Sequence, residues 1–146
     1  MYLSGKTNAM LFFFVLCISL SACKSVGQTN NADIDYGHSV KFNEAEIKSA
    51  VDAVLIKFKD FNGCDLKNIW YDESKSNIQI ESYMSTGNGN ENGSEFKNVI
   101  ILFSDFYVDS SGGDSSFNRD FTYTDFMWIL IRKSENHSWK VDDWGY

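Results

Sequence analysis

The sequence has little of three things that many functions require: histidine, paired cysteines and basic residues. Two histidines in 146 residues leave few candidates for a catalytic base. The chain has 13 lysines and arginines against 20 acidic residues, and the resulting net charge of −7 excludes the basic surface of a nucleic-acid-binding protein. It also lacks a phosphate-binding loop, a dinucleotide fingerprint and a nucleophile elbow, so we expect no cofactor.

What is present suffices for a folded domain. Hydrophobic residues make up 43% and aromatic residues 16% of the chain, which excludes wholesale disorder. A length of 146 residues corresponds to one domain rather than two. The composition therefore predicts a single packed core.

The N-terminal segment has the pattern of a bacterial lipoprotein signal peptide. Lys6 precedes an apolar run from Met10 to Leu20, which is too short for a membrane-spanning helix of about 20 residues. The run ends in Leu20-Ser21-Ala22-Cys23, where small residues permit cleavage and the cysteine thiol accepts a diacylglyceryl group. This pattern predicts a signal peptide over residues 1–22 and a protein held by the lipid on Cys23 at the extracytoplasmic face of the cell membrane. The alternatives are a secretory peptide that happens to contain a cysteine, or a short buried helix.

Cleavage at this position would leave one cysteine unmodified. Cys17 would leave with the signal peptide and Cys23 would be lipidated, so no intramolecular disulfide is expected. The remaining Cys64 could be a reactive thiol, but no histidine lies near it in the sequence. We therefore expect Cys64 to be a buried structural residue.

Residues 23–41 follow the signal peptide and are polar and aperiodic. This composition predicts the lipidated cysteine followed by a flexible tether, with the globular domain over residues 42–146. His38 lies in the tether and is expected to be solvated rather than a ligand.

The globular domain is predicted to begin with one helix. Asn43 can cap it, Glu46 completes a capping box, and Asn62-Gly63 is expected to end it. The apolar residues recur at helical spacing and form one stripe, which consists of Ile47, Val51, Val54, Leu55 and Phe58.

Five strands are predicted after the helix. They are placed at Cys64–Tyr71, Ile78–Met84, Asn98–Val108, Thr122–Lys133 and Ser138–Trp144, with a mobile loop over residues 86–94. The continuously apolar run Phe126–Ile131 predicts that its strand is central and covered on both faces. The expected fold class is α+β, with one N-terminal helix packed on a curved antiparallel sheet of about five strands.

Several segments carry a resemblance to known proteins. They are residues 63–73, 105–109 and 122–128, and the most specific is the closing Trp139-Lys-Val-Asp-Asp-Trp-Gly-Tyr146. Through them the chain from Phe42 to Tyr146 resembles a family of uncharacterised bacterial lipoproteins, whose globular part is similar to the cystatin-like, nuclear-transport-factor-2-like cone. The resemblance implies a cone-like fold and an anchored location, and it implies no particular chemistry.

Two carboxylates interrupt otherwise apolar strands and are the candidates for catalysis. Asp105 or Asp125 could serve as a base in a cone pocket, with Tyr107 or Tyr123 as the acid. The alternative is that both carboxylates face solvent or a sheet edge. The other acidic pairs are expected to be solvated charges, namely Asp72/Glu73 and Asp142/Asp143.

No metal site is expected. Asn88–Gly93 imitates the first half of a calcium loop, but Val99 stands where the closing glutamate would be. His137 and Cys64 have no companions at the spacing of zinc ligands.

The abundant aromatic residues allow two interpretations. They can fill the core of a small sheet, or they can line a concave face that binds an amphipathic ligand or a peptide. Apolar strands also permit a protein–protein face, including a dimer through the sheet. The sequence therefore favours a non-enzymatic binding or protein-interaction domain, with a small ligand or a protein as partner. A small-molecule enzyme with a carboxylate base is the alternative, and the oligomeric state is left open.

Overall fold

The computed structural model describes residues 25–113 and 116–146. The signal peptide predicted over residues 1–22 and the lipidation site predicted at Cys23 lie outside the described residues. Within the described ranges, every helix is too short or too polar to cross a bilayer. The helices are α1 (Glu44–Phe58), α2 (Glu73–Thr86) and α3 (Asn88–Glu91), and a 3-10 turn covers Phe96–Asn98. The strands are β1 (Asp33–Asp35), β2 (Cys64–Trp70), β3 (Val99–Val108), β4 (Phe121–Ile131) and β5 (Lys140–Gly145).

Helix α1 confirms the predicted N-terminal helix and its capping box. The Asn43 side chain accepts a hydrogen bond from the Glu46 N–H at 3.0 Å, and the Glu46 carboxylate accepts one from the Asn43 N–H at 2.9 Å. The predicted stripe faces the core, with Ile47, Val51, Val54 and Phe58 buried. The helix ends at Phe58, earlier than the predicted Asn62-Gly63, because the chain tightens into 3-10-type hydrogen bonds directly after it.

The strands form one open sheet in the order β1-β2-β3-β4-β5. Neighbours from β2 to β5 are antiparallel, as predicted, but β1 is parallel to β2, so the sheet is mixed. The α+β class is confirmed at this level. The strand that carries Phe126–Ile131 is β4, and it lies in the interior of the sheet between β3 and β5, as predicted, although the middle strand of the five is β3.

Helix α2 replaces the strand predicted over Ile78–Met84. The Asp72 side chain caps it by accepting a hydrogen bond from the Lys75 N–H at 2.9 Å. Its buried residues are Ser76, Ile80 and Tyr83, at helical spacing. The polar residues 72–77 before this segment form the cap and the first turn of the helix. The predicted mobile loop over 86–94 was also wrong in part, because it contains α3.

Part of the segment predicted as a flexible tether belongs to the sheet. Gln28 makes two backbone hydrogen bonds to β2, of 2.8 and 2.9 Å, and β1 pairs with the second half of β2. Before them, Gly27 passes so close to the end of α1 that a Cβ atom there would lie 2.0 Å from the Phe58 carbonyl oxygen. The structure therefore corrects the expectation that this whole segment is free of the domain.

Each face of the sheet is covered by a helix. On the first, here called the α1 face, α1 packs against a large cluster that includes Phe106, Trp128 and the buried Cys64. On the second, called the α2 face, α2 packs against a smaller cluster of Ile80, Tyr83, Val99, Ile101 and Phe103.

Candidate functional site

The structure brings the two predicted carboxylates, Asp105 and Asp125, together at a β-bulge. The register between β3 and β4 shifts between Ser104 and Phe106, so Asp105 faces an extra residue on β4. Asp105 Oδ1 accepts a hydrogen bond from the Asp125 N–H at 3.0 Å, and its Oδ2 accepts one from Asn68 Nδ2 at 3.0 Å. Both oxygens of Asp105 therefore hold the bulge in place.

Asp125 itself is exposed on the α2 face. Its backbone φ is 54°, in the left-handed region that aspartate tolerates better than most residues. Its carboxylate lies 3.1 Å from Lys75 Nζ of α2, and the two side chains are 62% and 52% exposed. A groove of about 340 Å³ borders this pair and is also lined by Ile78, Gln79, Phe103, Met127 and Tyr146.

The two predicted tyrosines do not join the carboxylates. Tyr107 donates a hydrogen bond to Asp120 at 3.1 Å, and this bond, together with burial, raises the pKa of Tyr107. Tyr123 packs against the α1-face cluster, with its ring 5.1 Å from that of Phe106, and its hydroxyl accepts a hydrogen bond from the Asn118 N–H. The structure therefore does not assemble the predicted base and acid into one site.

A larger cavity lies at the opposite end of β4 and was not predicted. It has a volume of about 740 Å³. Its walls come from the loop after α3 (residues 92–95), from Asn98 and from residues 131–133, where β4 ends. The turn before β5 contributes His137 and Ser138, and β5 itself contributes Lys140 and Asp142. We call it the Arg132 cavity.

Arg132 is the most buried charged side chain on the wall of this cavity. Its side chain is 4% exposed, and Nη1 donates to Glu46 Oε1 at 2.6 Å. The guanidinium carbon lies 4.3 Å from the centre of the Trp139 ring, in cation–π geometry. Burial disfavours ionisation of Glu46, but the Asn43 N–H and Arg132 outweigh it and hold the pKa of Glu46 below its usual value.

Two residues that line this cavity each have a side-chain polar atom that is buried without a hydrogen-bond partner. These atoms are Nε of Arg132 and Oδ1 of Asn98. The two residues are neighbours, because the Arg132 N–H donates to the Asn98 carbonyl at 3.0 Å. A buried donor and a buried acceptor that are both unpaired cost free energy.

A polar network supports the rim of the cavity. Tyr83 of α2 donates to Asp142 Oδ2 at 2.6 Å, and Asn92 Nδ2 donates to the same oxygen at 3.1 Å. Burial and the Asp142 carboxylate raise the pKa of Tyr83 to about 12. Asp142 was predicted to be a solvated charge, and the structure shows instead that it joins α2, the loop after α3 and β5.

Glu73 and Asp72 were also predicted to be solvated, and both have structural partners. Asp72 caps α2, and Glu73 accepts hydrogen bonds from the Ser39 hydroxyl and from the backbone N–H groups of Val40 and Lys41. These bonds lower the pKa of Glu73, with Ser39 as the largest contributor. Glu73 therefore fixes the segment that leads into α1.

No described group of three or more histidine, cysteine, aspartate or glutamate side chains is arranged to hold a metal ion. The Asn88–Gly93 segment that imitates a calcium loop contains α3, and its residues Asn92 and Gly93 line the Arg132 cavity instead.

Comparison with family models, with curated proteins and with solved structures finds no match to this chain. The candidate sites are therefore argued from their geometry alone.

Proposed function

We propose that the protein is a lipoprotein anchored through Cys23 at the extracytoplasmic face of the membrane, and that its globular part is a non-enzymatic binding domain. The observation that carries the binding role is the Arg132 cavity, about 740 Å³ in volume and lined by two buried side chains with unpaired polar atoms. Ligand sites are commonly 300–1,000 Å³ in volume, with a few fixed polar groups, and this cavity fits that description.

The geometry supports binding over catalysis. A catalytic base needs a lone pair that can reach the substrate, and both oxygens of Asp105 already accept hydrogen bonds within the bulge. Asp125 is exposed and paired with a lysine, a common arrangement for a surface charge. If Asp105 were a catalytic base, alanine at this position would leave folding unchanged. We expect Asp105→Ala to lower the free energy of unfolding by about 1–2 kcal/mol, because it leaves the Asp125 N–H and the Asn68 amide unpaired.

The finer fold assignment is also part of this proposal. On the α1 face, α1 packs against the antiparallel strands β2 to β5, and this arrangement supports an open relative of the cystatin-like cone. An experimental structure that showed α1 detached from the sheet would contradict this assignment.

Native mass spectrometry of the full-length chain, extracted from membranes of its own host in mild detergent, tests the binding role. We expect a reproducible additional mass beyond that of the lipid. Ser138→Trp places an indole in the cavity wall and should remove the extra mass. Asn136→Trp lies in the same turn but outside the cavity wall and should keep it. A chain with no bound mass, or a mass that Ser138→Trp does not change, would contradict a ligand in this cavity.

The anchor has a separate test. Labelled palmitate should be incorporated into the wild-type chain and into Cys17→Ala, whose cysteine lies within the predicted signal peptide. Cys23→Ala should incorporate none and should not remain with the membrane fraction. Equal labelling of all three chains would show that Cys23 is not the lipidated residue.

A further inference from the structure

The chain contacts the folded domain almost immediately after the proposed lipidation site. Lys24 alone separates Cys23 from Ser25, whose carbonyl accepts a hydrogen bond from the Gly63 N–H at 2.9 Å. Two residues of chain span at most about 7 Å, so a lipid on Cys23 would enter the membrane close to Gly63. The domain would then be held at one defined end.

This end of the sheet is the one where β2 and β4 begin and β3 finishes. Cys64, which follows Gly63, pairs with Val108 at the end of β3, and Val108 pairs in turn with Phe121 at the start of β4. We call it the anchored end. The Arg132 cavity lies at the opposite end of the ten-residue strand β3, up to about 30 Å away along the strand.

An apolar groove opens beside the anchor point. It has a volume of about 180 Å³, and its apolar wall consists of Phe61, Phe117 and Trp144. Asn62 also lines the groove and is followed directly by Gly63. The ring of Phe61 is buried and lies 5.5 Å from the ring of Phe117 and 5.9 Å from that of Trp144. Phe61 therefore supports two rings that reach the surface.

The aromatic side chains of this region are partly exposed. Trp144 is 41% and Phe121 is 47% exposed, and Phe117 is half-buried. Tryptophan and phenylalanine side chains favour the headgroup region of a bilayer over water, because their apolar rings leave the aqueous phase there. Exposed rings beside a lipid anchor are therefore suited to contact with the membrane surface.

The charges that line the groove cancel. Lys57 and Asp60 form an ion pair, with 3.0 Å between Nζ and Oδ2, and Lys57 Nζ also lies 4.8 Å from the centre of the Trp144 ring. The whole chain has a net charge of −7, which opposes attraction to acidic lipids. A contact between this groove and a membrane would thus depend on the aromatic side chains and would form on zwitterionic phospholipid.

We propose that the anchored end of the domain rests on the phospholipid surface of the membrane. Phe117, Phe121 and Trp144 contact the headgroup region, and the Arg132 cavity opens toward the aqueous compartment at the opposite end of the domain. A ligand would therefore reach the cavity from the aqueous phase. This inference rests on the anchor at Cys23 proposed above, and it holds whatever ligand the cavity binds.

Fluorescence quenching in vesicles tests this orientation. The lipidated chain, extracted from membranes of its own host, is inserted into phosphatidylcholine vesicles that contain nitroxide-labelled phosphatidylcholine. A bimane label is attached to Ser116→Cys, which lines the groove, or to Ser138→Cys, which lines the Arg132 cavity. The wild-type chain, whose Cys64 is buried, measures the background of labelling.

We expect the nitroxide lipid to quench most of the bimane fluorescence in Ser116→Cys and little or none in Ser138→Cys, because up to about 30 Å separates the two ends of the sheet. Equal quenching of the two labels would overturn the orientation, and so would stronger quenching in Ser138→Cys.

Variants test the aromatic contact in the labelled Ser116→Cys chain. Trp144→Asp replaces an exposed ring near the anchor point by a charge, and it should restore part of the quenched fluorescence. Phe96→Asp makes the same kind of change at the opposite end of the sheet, where Phe96 is 53% exposed, and should restore none. Because Trp144 also packs against Phe61, Phe121→Asp provides a second test and should act like Trp144→Asp. Equal restoration by Phe96→Asp would overturn the role of the aromatic side chains.

Flotation of the same vesicles in a density gradient separates this inference from the proposed anchor. A chain that floats with the vesicles but shows equal quenching of the two labels would overturn the orientation and leave the anchor at Cys23 in place. A chain that does not float with the vesicles would overturn both.

Discussion

The two faces of the sheet are built in different ways. The α1 face is held by large aromatic side chains in mutual contact, such as Phe58, Phe61, Phe106 and Trp128, with ring centres 5.1–6.2 Å apart. The α2 face has fewer buried apolar residues and depends more on polar contacts, among them Tyr83 to Asp142 and Ser76 to the Ile101 N–H. The first face resembles an ordinary protein core, and the second is only partly closed.

The difference between the two faces indicates which part of the molecule provides stability and which part has room for a ligand. The groove near Asp125 lies on the α2 face, whereas the Arg132 cavity lies at the end of the sheet, between the loop after α3 and an arginine held by Glu46 of α1 and by Trp139. Dense apolar packing leaves little room for ligands, and the groove beside Phe61, Phe117 and Trp144 on the α1 face measures about 180 Å³, against about 340 Å³ for the groove near Asp125. We therefore expect substitutions on the α1 face to affect folding most, and those on the α2 face to be tolerated better.

The largest expected effect tests this difference with the same change on each face. Phe58 is fully buried on the α1 face, and Phe103 is 3% exposed on the α2 face. Phe58→Ala should lower the free energy of unfolding by about 4–5 kcal/mol and Phe103→Ala by about 3 kcal/mol, because fewer neighbours surround the second cavity. Urea unfolding of both variants measures the difference. A cost for Phe103→Ala equal to or above that for Phe58→Ala would mean that the two faces are equally packed.

A smaller effect tests the polar contacts of the α2 face. The pairing of β2 with β3 ends at Trp70 and Phe103. Beyond that point, the Ser76 hydroxyl of α2 accepts a hydrogen bond from the Ile101 N–H at 3.1 Å. Ser76→Ala leaves this buried N–H unpaired and should cost about 2 kcal/mol. The same change at Ser82, an exposed position of α2, serves as the control and should cost less than about 0.5 kcal/mol. Faster hydrogen exchange at the Ile101 amide in Ser76→Ala, but not in the control, would show that the loss of stability comes from this hydrogen bond.

The α1 face was the predictable part of the molecule. Asn43, Glu46 and the apolar stripe specify a helix locally, through capping and a period of 3.6 residues, so its prediction needed no tertiary information. Strands β3 and β4 were predictable for a similar reason, because long runs of β-branched and aromatic residues specify them.

The α2 face could not be predicted in the same way. Of the residues that α2 buries, Ile80 is the only aliphatic one, and the exposed Ile78 two positions earlier produces the alternation typical of a strand. Strand β1 has the sequence Asp-Ile-Asp and forms only because β2 offers a free edge. Local sequence patterns do not contain this tertiary information.

The candidate sites were predictable only in part. The interruption of two apolar strands pointed to Asp105 and Asp125, but not to the bulge that joins them. The Arg132 cavity depends on Glu46, which lies 86 positions away in the sequence. The one available signal was an arginine placed directly after the apolar run of β4, since a charge in that position needs a buried partner.

Alkaline pH should weaken the contact that Tyr83 makes on the α2 face. The pKa of Tyr83 is raised from 10.0 to about 12, so the folded state keeps a proton that the unfolded state loses. The resulting contribution to stability is complete below about pH 10 and is lost as the pH rises through about 12. Between these values we expect the wild-type chain to lose about 1 kcal/mol more than Tyr83→Phe, after allowance for solvent screening. Urea unfolding of both chains across this pH range measures the two losses of stability, and phenolate absorbance reports the titration of the tyrosines. Parallel stability curves for the two chains would contradict the role of Tyr83.

The smallest expected effect concerns Asp125, and it tests whether the exposed part of the α2 face matters for folding at all. Asp125→Gly removes a side chain from a residue with φ of 54°, which relieves backbone strain, and it also removes the exposed ion pair with Lys75. These changes nearly cancel, so the free energy of unfolding should change by less than about 0.5 kcal/mol. The hydrogen bond to Asp105 comes from the backbone N–H of residue 125, so it is retained in the variant. A loss above about 1.5 kcal/mol would show that the Asp125 side chain is part of the structural core of the bulge. The contrast between a closed α1 face and an open α2 face would then need revision at this end of the sheet.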